Sequence, residues 1–208
     1  MDSSASNRPY PHAFDNIDRL LTVEMRPQGL DQGLIPKLHA HAQQGQGSLV
    51  FRIASALQKL PPSKITMLTG VYLPVYFPRG EIDGPIGAVV LGTVLAKLGH
   101  EVDVYVEEQV VPVIDALLAF LDVPGCKTKS AETSEAAVKE YAATVDALIS
   151  IEKLGWNRKK VTHSIVGTPI TTCDPLSNVL VDEVNKDNKL TIGIGDGGNE
   201  IGFGKIFD

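Results

Sequence analysis

Two segments carry residues whose types and spacing could do chemistry. The first, "FPRGEIDGPIGA" at 77–88, sets Glu81 and Asp83 two positions apart on a loop leading into a helix, with Arg79 just before them. The second, "GIGDGGNEIGFGK" at 193–205, sets Asp196, Asn199 and Glu200 among six glycines in the twelve positions 193–204. Such glycine density lets backbone come close to a ligand. A helix starting near Gly198 would aim free N–H groups at a carboxylate or phosphate. If both loops lie at one sheet edge, Glu81, Asp83, Asp196 and Glu200 converge. Converging acids hold a divalent ion, hold a substrate ammonium, or push one another's pKa up until one works as acid or base near neutrality. Residue types alone leave these three open. Plainer readings stand beside them: Asp83 as a helix N-cap, and the glycine loop as a turn packed for shape.

A third segment, "EKLGWNRKKVTHSIVG" at 152–167, offers Trp156, Asn157, Arg158, Lys159, Lys160 and His163. It could hold substrate carboxylates, or be a solvated charge run. Gly193, Gly195 and Gly198 satisfy GxGxxG after a strand, a dinucleotide signature. The motif falls late in the chain, and no acid lies about twenty residues on to hold a ribose. An anion-cradling nucleotide or phosphate module is therefore the second reading. His39 and His41, at i,i+2, would point apart on a helix and make a poor metal pair. Cys126 and Cys173 form no metal or disulfide framework and are expected to be reduced. No GxSxG elbow occurs.

These loops need a scaffold. Helical spacing appears at 14–25 and 48–60. Beyond Pro61-Pro62 the pattern alternates. Strands are expected at "KITMLTGVYL", "EVDVYV", "VDALISIEKLG" and "KLTIGIG", with helices at "DGPIGAVVLGTVLAKLG", "VVPVIDALLAFLDV", "AETSEAAVKEYAA" and "DPLSNVLVDEVNKDN". Asp83 caps the first of these helices, Pro85 sits in its first turn, and Gly99 closes it. Alternating strands and helices predict an open, mostly parallel α/β sheet with helices on both faces and ligands at the strands' carboxyl ends. Residues 1–13 read as a mobile segment and 14–208 as a single domain.

The chain has 208 residues and a net charge of −6. That balance argues against a general nucleic-acid partner. No apolar run reaches membrane-spanning length, and the N-terminus lacks a secretory h-region. The expected location is the cytoplasm, or the mitochondrion if a presequence is missing. The expected partners are a small molecule and, for assembly, a second copy of the chain.

"EIDGPIGA" resembles an E-T-D-G-P-P-G-A motif, and "GIGDGGNEIGFGK" resembles G-x-G-D-G-G-N-E-x-G-M-G-K. Both are similar to the D-glutamate cyclase family, as is the order of a "NIDRLL" helix, a "TGVYLP" strand end and then the two loops. The resemblance spans roughly residues 14–208. Ile82 and Ile86 stand where the family motif has Thr and Pro, and the acids are kept. The family domain runs on past the glycine loop, so the sheet is expected to be incomplete at its C-terminal end. The resemblance implies a hydro-lyase reaction: D-glutamate closes to 5-oxo-D-proline with loss of water. It implies Asp83, Asp196, Glu200 and Glu81 as catalytic residues. Gly84, Gly195, Gly197, Gly198, Asn199, Lys205 and Arg79 would bind substrate. A Mg²⁺ or Mn²⁺ ion, if used, would fall to Asp83, Asp196 and Glu200.

Overall fold

The computed structural model describes residues 11–25, 32–171 and 175–206. They form two compact units, residues 1–60 with 205–208, and residues 61–204. Of the segment expected to be mobile, residues 1–10 lie outside the described residues, as does Cys173.

The first unit holds three helices, α1 (Pro11–Leu21), α2 (Leu34–Gln43) and α3 (Leu49–Lys59). Phe14 and Phe51 meet edge-to-face at 5.1 Å. Ser48 caps α3 by accepting the Phe51 N–H, and buried Asp18 accepts the Val50 N–H. His39 faces Asp18 at 3.6 Å while His41 is exposed, so the two histidines do point apart.

The second unit is an open α/β sheet. Its elements are β1 (Lys64–Leu68), α4 (Asp83–Lys97), β2 (Glu101–Val106), α5 (Val111–Leu121), β3 (Cys126–Ser130), α6 (Glu135–Thr144), β4 (Ala147–Ile151), the hairpin strands β5 (Thr162–His163) and β6 (Pro169–Ile170), α7 (Leu176–Lys186) and β7 (Leu190–Ile194). The main sheet runs β3-β2-β1-β4-β7, every pair parallel. β1 to β4 are paired in register from Ile65 opposite Ala147 to Leu68 opposite Ser150. β1 and β4 are neighbours although two strands and three helices separate them in the chain. Parallel strands buried on both faces read as continuous apolar runs, and β1, β2 and β4 are almost wholly buried.

α4 and α5 cover one face. Gly92 of α4 packs on Met67, Val102 and Cys126. α6 and α7 cover the other, where Val138, Tyr141, Leu180 and Val184 pack with Leu68, Tyr105 and Leu148. On that face Tyr141 donates to buried Asp103 at 2.9 Å and accepts from Thr66 at 2.9 Å. Lys64 and Lys127 approach Asp103 at 3.4 and 3.6 Å, which offsets part of the cost of burying its charge.

The strand expected from "CKTKS" patterning is none, yet β3 forms there. Only Cys126 of its five residues is buried. An edge strand pairs through its backbone and needs no apolar run. Cys126 is a free thiol, pushed up to about 11 by burial and then by Asp103. α4 begins one residue earlier than an Asp83 cap requires: Asp83 lies in its first turn, and its carboxylate accepts the Gly84 N–H at 2.8 Å. Gly99 follows the helix with φ +96°, as expected of a closing glycine.

Candidate functional site

Strand order reverses between β1 and β4, because α4 and α5 lead away on one face and α6 returns on the other. Open α/β sheets bind ligands at the carboxyl ends of strands beside such a reversal. Three chain segments reach that place, each for its own reason.

The first leaves β1. Residues 71–81 fold back on themselves: Leu73 bridges Phe77, and the Glu81 N–H donates to the Val71 carbonyl at 3.0 Å. That bond returns Glu81 to the strand end. Buried Gly84 then lets α4 start against both central strands. A Cβ there would stand 2.6 Å from Thr69 Oγ1 and 3.0 Å from the Ile151 carbonyl.

The second segment leaves β4, and the third leaves β7. They are laced together. Glu152 N–H donates to the Ile194 carbonyl at 3.0 Å, Ile201 N–H to Lys153 at 2.8 Å, and Gly155 N–H to Asn199 at 2.9 Å. Gly193 makes this possible, since a Cβ would lie 2.6 Å from the Ile201 carbonyl. Glu200 folds back so that its two oxygens accept the Gly197 and Gly198 N–H groups at 2.7 and 2.8 Å. Asn199 donates its side-chain amide to the His163 carbonyl at 2.7 Å and so ties the β5–β6 hairpin to the loop.

Together these segments enclose a cleft of about 350 Å³. Its acids are Glu81, Asp83, Glu152, Asp196 and Glu200; Val71, Leu73, Phe77, Leu154, Ile165 and Ile170 form the apolar wall. The four acids named from sequence do converge. Glu152 is the one that sequence reasoning passed over. It sits directly after fully buried β4, and an acid at that position of a parallel strand was the available signal. Its φ is +50°, a costly conformation for a residue with a Cβ, held here by the lacing around it.

Burial, then the charges of Glu200, Asp196, Asp83 and Glu81, push Glu152 up to about 8. Burial, then Asp83, Asp196 and Glu200, push Glu81 up to about 6. Displaced values of this kind gather at functional sites. The ligand oxygens of Glu152, Asp196 and Glu200 lie within 4.8 Å of one another. That trio includes Glu152 in place of the Asp83 named from sequence.

The remaining sequence-named residues fall as follows. Gly197 and Asn199 line the cleft; Gly84, Gly195, Gly198 and Arg79 do not. Arg79 is exposed, and the side chain of Lys205 lies outside the described residues. His163 contributes its backbone carbonyl, and its ring is not in the cleft lining. No α-helix starts near Gly198. A short 3₁₀ turn, Phe203–Ile206, follows the loop, because Glu200 already occupies two of the N–H groups a helix would leave free. Among the described residues, no lysine or arginine lines the cleft. Nearby Lys153 is buried and committed, donating to Glu107 at 2.5 Å and to the Gly70 carbonyl at 2.9 Å.

No helix among the described residues is long and apolar enough to cross a membrane. The comparison with curated proteins finds no match. Among solved structures, the crystal structure of a mutant of MtNAS aligns at 12% identity with a TM-score of 0.35, over 76% of this chain and 57% of its own length. Residues 28–208 match the family described as D-glutamate cyclase-like, C-terminal. That match runs through both acidic loops and every strand of the sheet, and the chain belongs to the D-glutamate cyclase-like family.

Proposed function

We propose that the cleft closes D-glutamate, or a closely related amino dicarboxylic acid, to the five-membered lactam 5-oxo-D-proline with loss of water. The observation that carries this reading is the convergence of acids from three strand ends, two of them poised either side of neutrality. The family membership supports the reaction class.

The chemistry has defined needs. The α-ammonium must shed a proton to become a nucleophile. Its nitrogen then bonds to the γ-carboxyl carbon, and one carboxyl oxygen leaves as water. Two protons that start on nitrogen end on that oxygen. The acidic cleft attracts the ammonium, and the apolar wall lets the chain fold so that nitrogen lies against the γ-carbon, which is catalysis by orientation. Glu81, displaced to about 6, is ionised at pH 7 and accepts the first proton. Glu152, displaced to about 8, is protonated at pH 7 and donates to the departing oxygen. Asp83 holds the ammonium. Glu200 fixes the glycine loop, and the charge of Asp196 acts on both Glu81 and Glu152.

The donor set of Glu152, Asp196 and Glu200 is all hard oxygen, which suits Mg²⁺ or Mn²⁺. Each Glu200 oxygen keeps a lone pair beyond its backbone bond. When bound, such an ion would polarise a substrate carboxyl and keep Glu152 ionised.

The geometry gives the nucleotide reading little support. The loop amides that would cradle a phosphate already hold Glu200, and the ionised acids around them repel a polyanion.

The test is an NMR time course with D-glutamate and, separately, L-glutamate, with and without Mn²⁺. Appearance of 5-oxoproline from the D-isomer alone is the expected result. Absence of product from folded protein under every condition would overturn the proposal.

A further inference from the structure

The outward face of α4 is apolar where a surface helix should be polar. Ile86, Val90 and Val94 are 47%, 51% and 49% exposed. At about 100° per residue, Asp83, Ile86, Val90, Val94 and Lys97 lie within roughly 40° of one line along the helix. Ile82 and Leu98 flank that line and are also exposed. Beside it, α5 exposes Phe120 at 87%. A helix that is apolar all round is ordinarily covered.

The order of residues along this line says what covers it. Reading from either end about Val90, Asp83 corresponds to Lys97 and Ile86 to Val94. The line is an apolar palindrome with an acid at one end and a base at the other. A second copy of α4 laid antiparallel across it, with the two-fold axis at Val90, meets Val90 with Val90, Ile86 with Val94, and Asp83 with Lys97 twice over. Opposite charges then coincide at both ends, and the two helix dipoles run antiparallel. A parallel arrangement would set acid against acid and base against base. A two-fold contact requires self-complementarity of this kind.

We infer that the α4 face is a homodimer interface, pairing α4 with α4 of a second copy about a two-fold axis at Val90. α4 and α5 together offer a face of roughly 24 by 20 Å, taking ~1.5 Å per residue and an 8–10 Å helix spacing. That is about 500 Å² per copy, the low end of specific interfaces, so the dimer is dissociable rather than obligate. The pairing also brings Lys97 of the partner subunit beside Asp83, which lines the cleft.

Sedimentation velocity on the full chain at tens of micromolar tests this directly. The expected species has about twice the 22.3 kDa of one chain, and Val90→Glu, which sets two like charges face to face on the axis, returns it to monomer. A wild-type monomer across that range, or a dimer untouched by Val90→Glu, overturns the inference. Register is tested by crosslinking in a Cys173→Ser background, with cysteines placed at exposed positions of α4. Val90→Cys alone is expected to give a disulfide-linked dimer on mild oxidation. Ile86→Cys with Val94→Cys is expected to do the same, and Val94→Cys alone is not. Crosslinking of the Val94→Cys single variant as strong as that of Val90→Cys would overturn the antiparallel register.

Discussion

The two banks of the cleft carry the same kind of side chain and are built differently. The outer bank, Glu81 and Asp83, belongs to one short stretch of chain. Its bonds are local, within residues 71–84. The inner bank, Glu152 and Glu200, is assembled from segments about fifty residues apart in sequence, through backbone bonds that run between them. Local construction leaves Asp83 exposed and Glu81 only moderately displaced. Assembled construction buries Glu200, holds Glu152 at a positive φ and displaces it most. Burial is the leading cause in both titrations, and neighbouring acids add to it in each.

The sharpest way to break this contrast is at Glu152. Glu152→Gln keeps the shape and removes the proton donor, so kcat should fall about 10²–10⁴-fold. Stability should move the other way. A carboxyl whose folded pKa lies above its unfolded value costs stability as pH rises from 4.5 toward 8. The variant should therefore melt higher than the native chain at pH 8 and nearly equal to it at pH 4.5. A lower melting temperature at pH 8 would refute the buried-acid account.

Glu200→Gln comes next. One oxygen becomes an NH₂ facing a backbone N–H, and the charge holding both loop amides is gone. The expected cost is about 1.5–3 kcal/mol, read as a lower melting temperature together with a 10- to 100-fold loss of kcat. Gly193→Ala attacks the same bank without touching an acid. Its Cβ has backbone to displace, so about 1–3 kcal/mol of stability should be lost, seen by denaturant unfolding.

The outer bank should respond more mildly. In metal-free buffer, kcat/KM should rise through about pH 6 as Glu81 ionises and fall through about pH 8 as Glu152 does. Glu81→Gln should remove the lower limb and move the upper one slightly down, since the charge of Glu81 is the last of the causes that raise Glu152. Asp83→Asn is the smallest expected change: a several-fold rise in KM for the ammonium substrate, with a melting temperature within a degree or two. If Asp83→Asn cost as much as Glu152→Gln, the two banks would not differ as described.

The sequence made the outer bank legible and only half of the inner one. Glu81, Asp83, Asp196 and Glu200 stand in dense, punctuated loops, where glycine and acid together are conspicuous. Glu152 follows an apolar run and precedes a basic one, so nothing local marks it. Its importance comes from the strand order, which puts β4 beside β1, and a single sequence does not display strand order. For the same reason β3 went unread: its partner supplies the bonds, and its own residues show no apolar alternation. Glycine density in the sequence points to close approach by a ligand, whereas Gly84 and Gly193 matter for the protein atoms that press against them.

β3 has one more consequence. It ends the five-stranded sheet, and its outer row of backbone N–H and carbonyl groups is a template on which a strand from another molecule could build. Lys127 and Lys129 stand two residues apart, opposite Asp103 and Tyr105 in register, so their charges point toward the α6 face rather than away from the sheet. A foreign strand adding there would have to bring its own side chains up against two ammonium groups. Lysine on an edge strand disfavours such pairing, even with Lys127 paired to Glu101 and Lys129 to Glu132, so neutral replacement of the two should show itself in prolonged storage rather than in any assay of turnover.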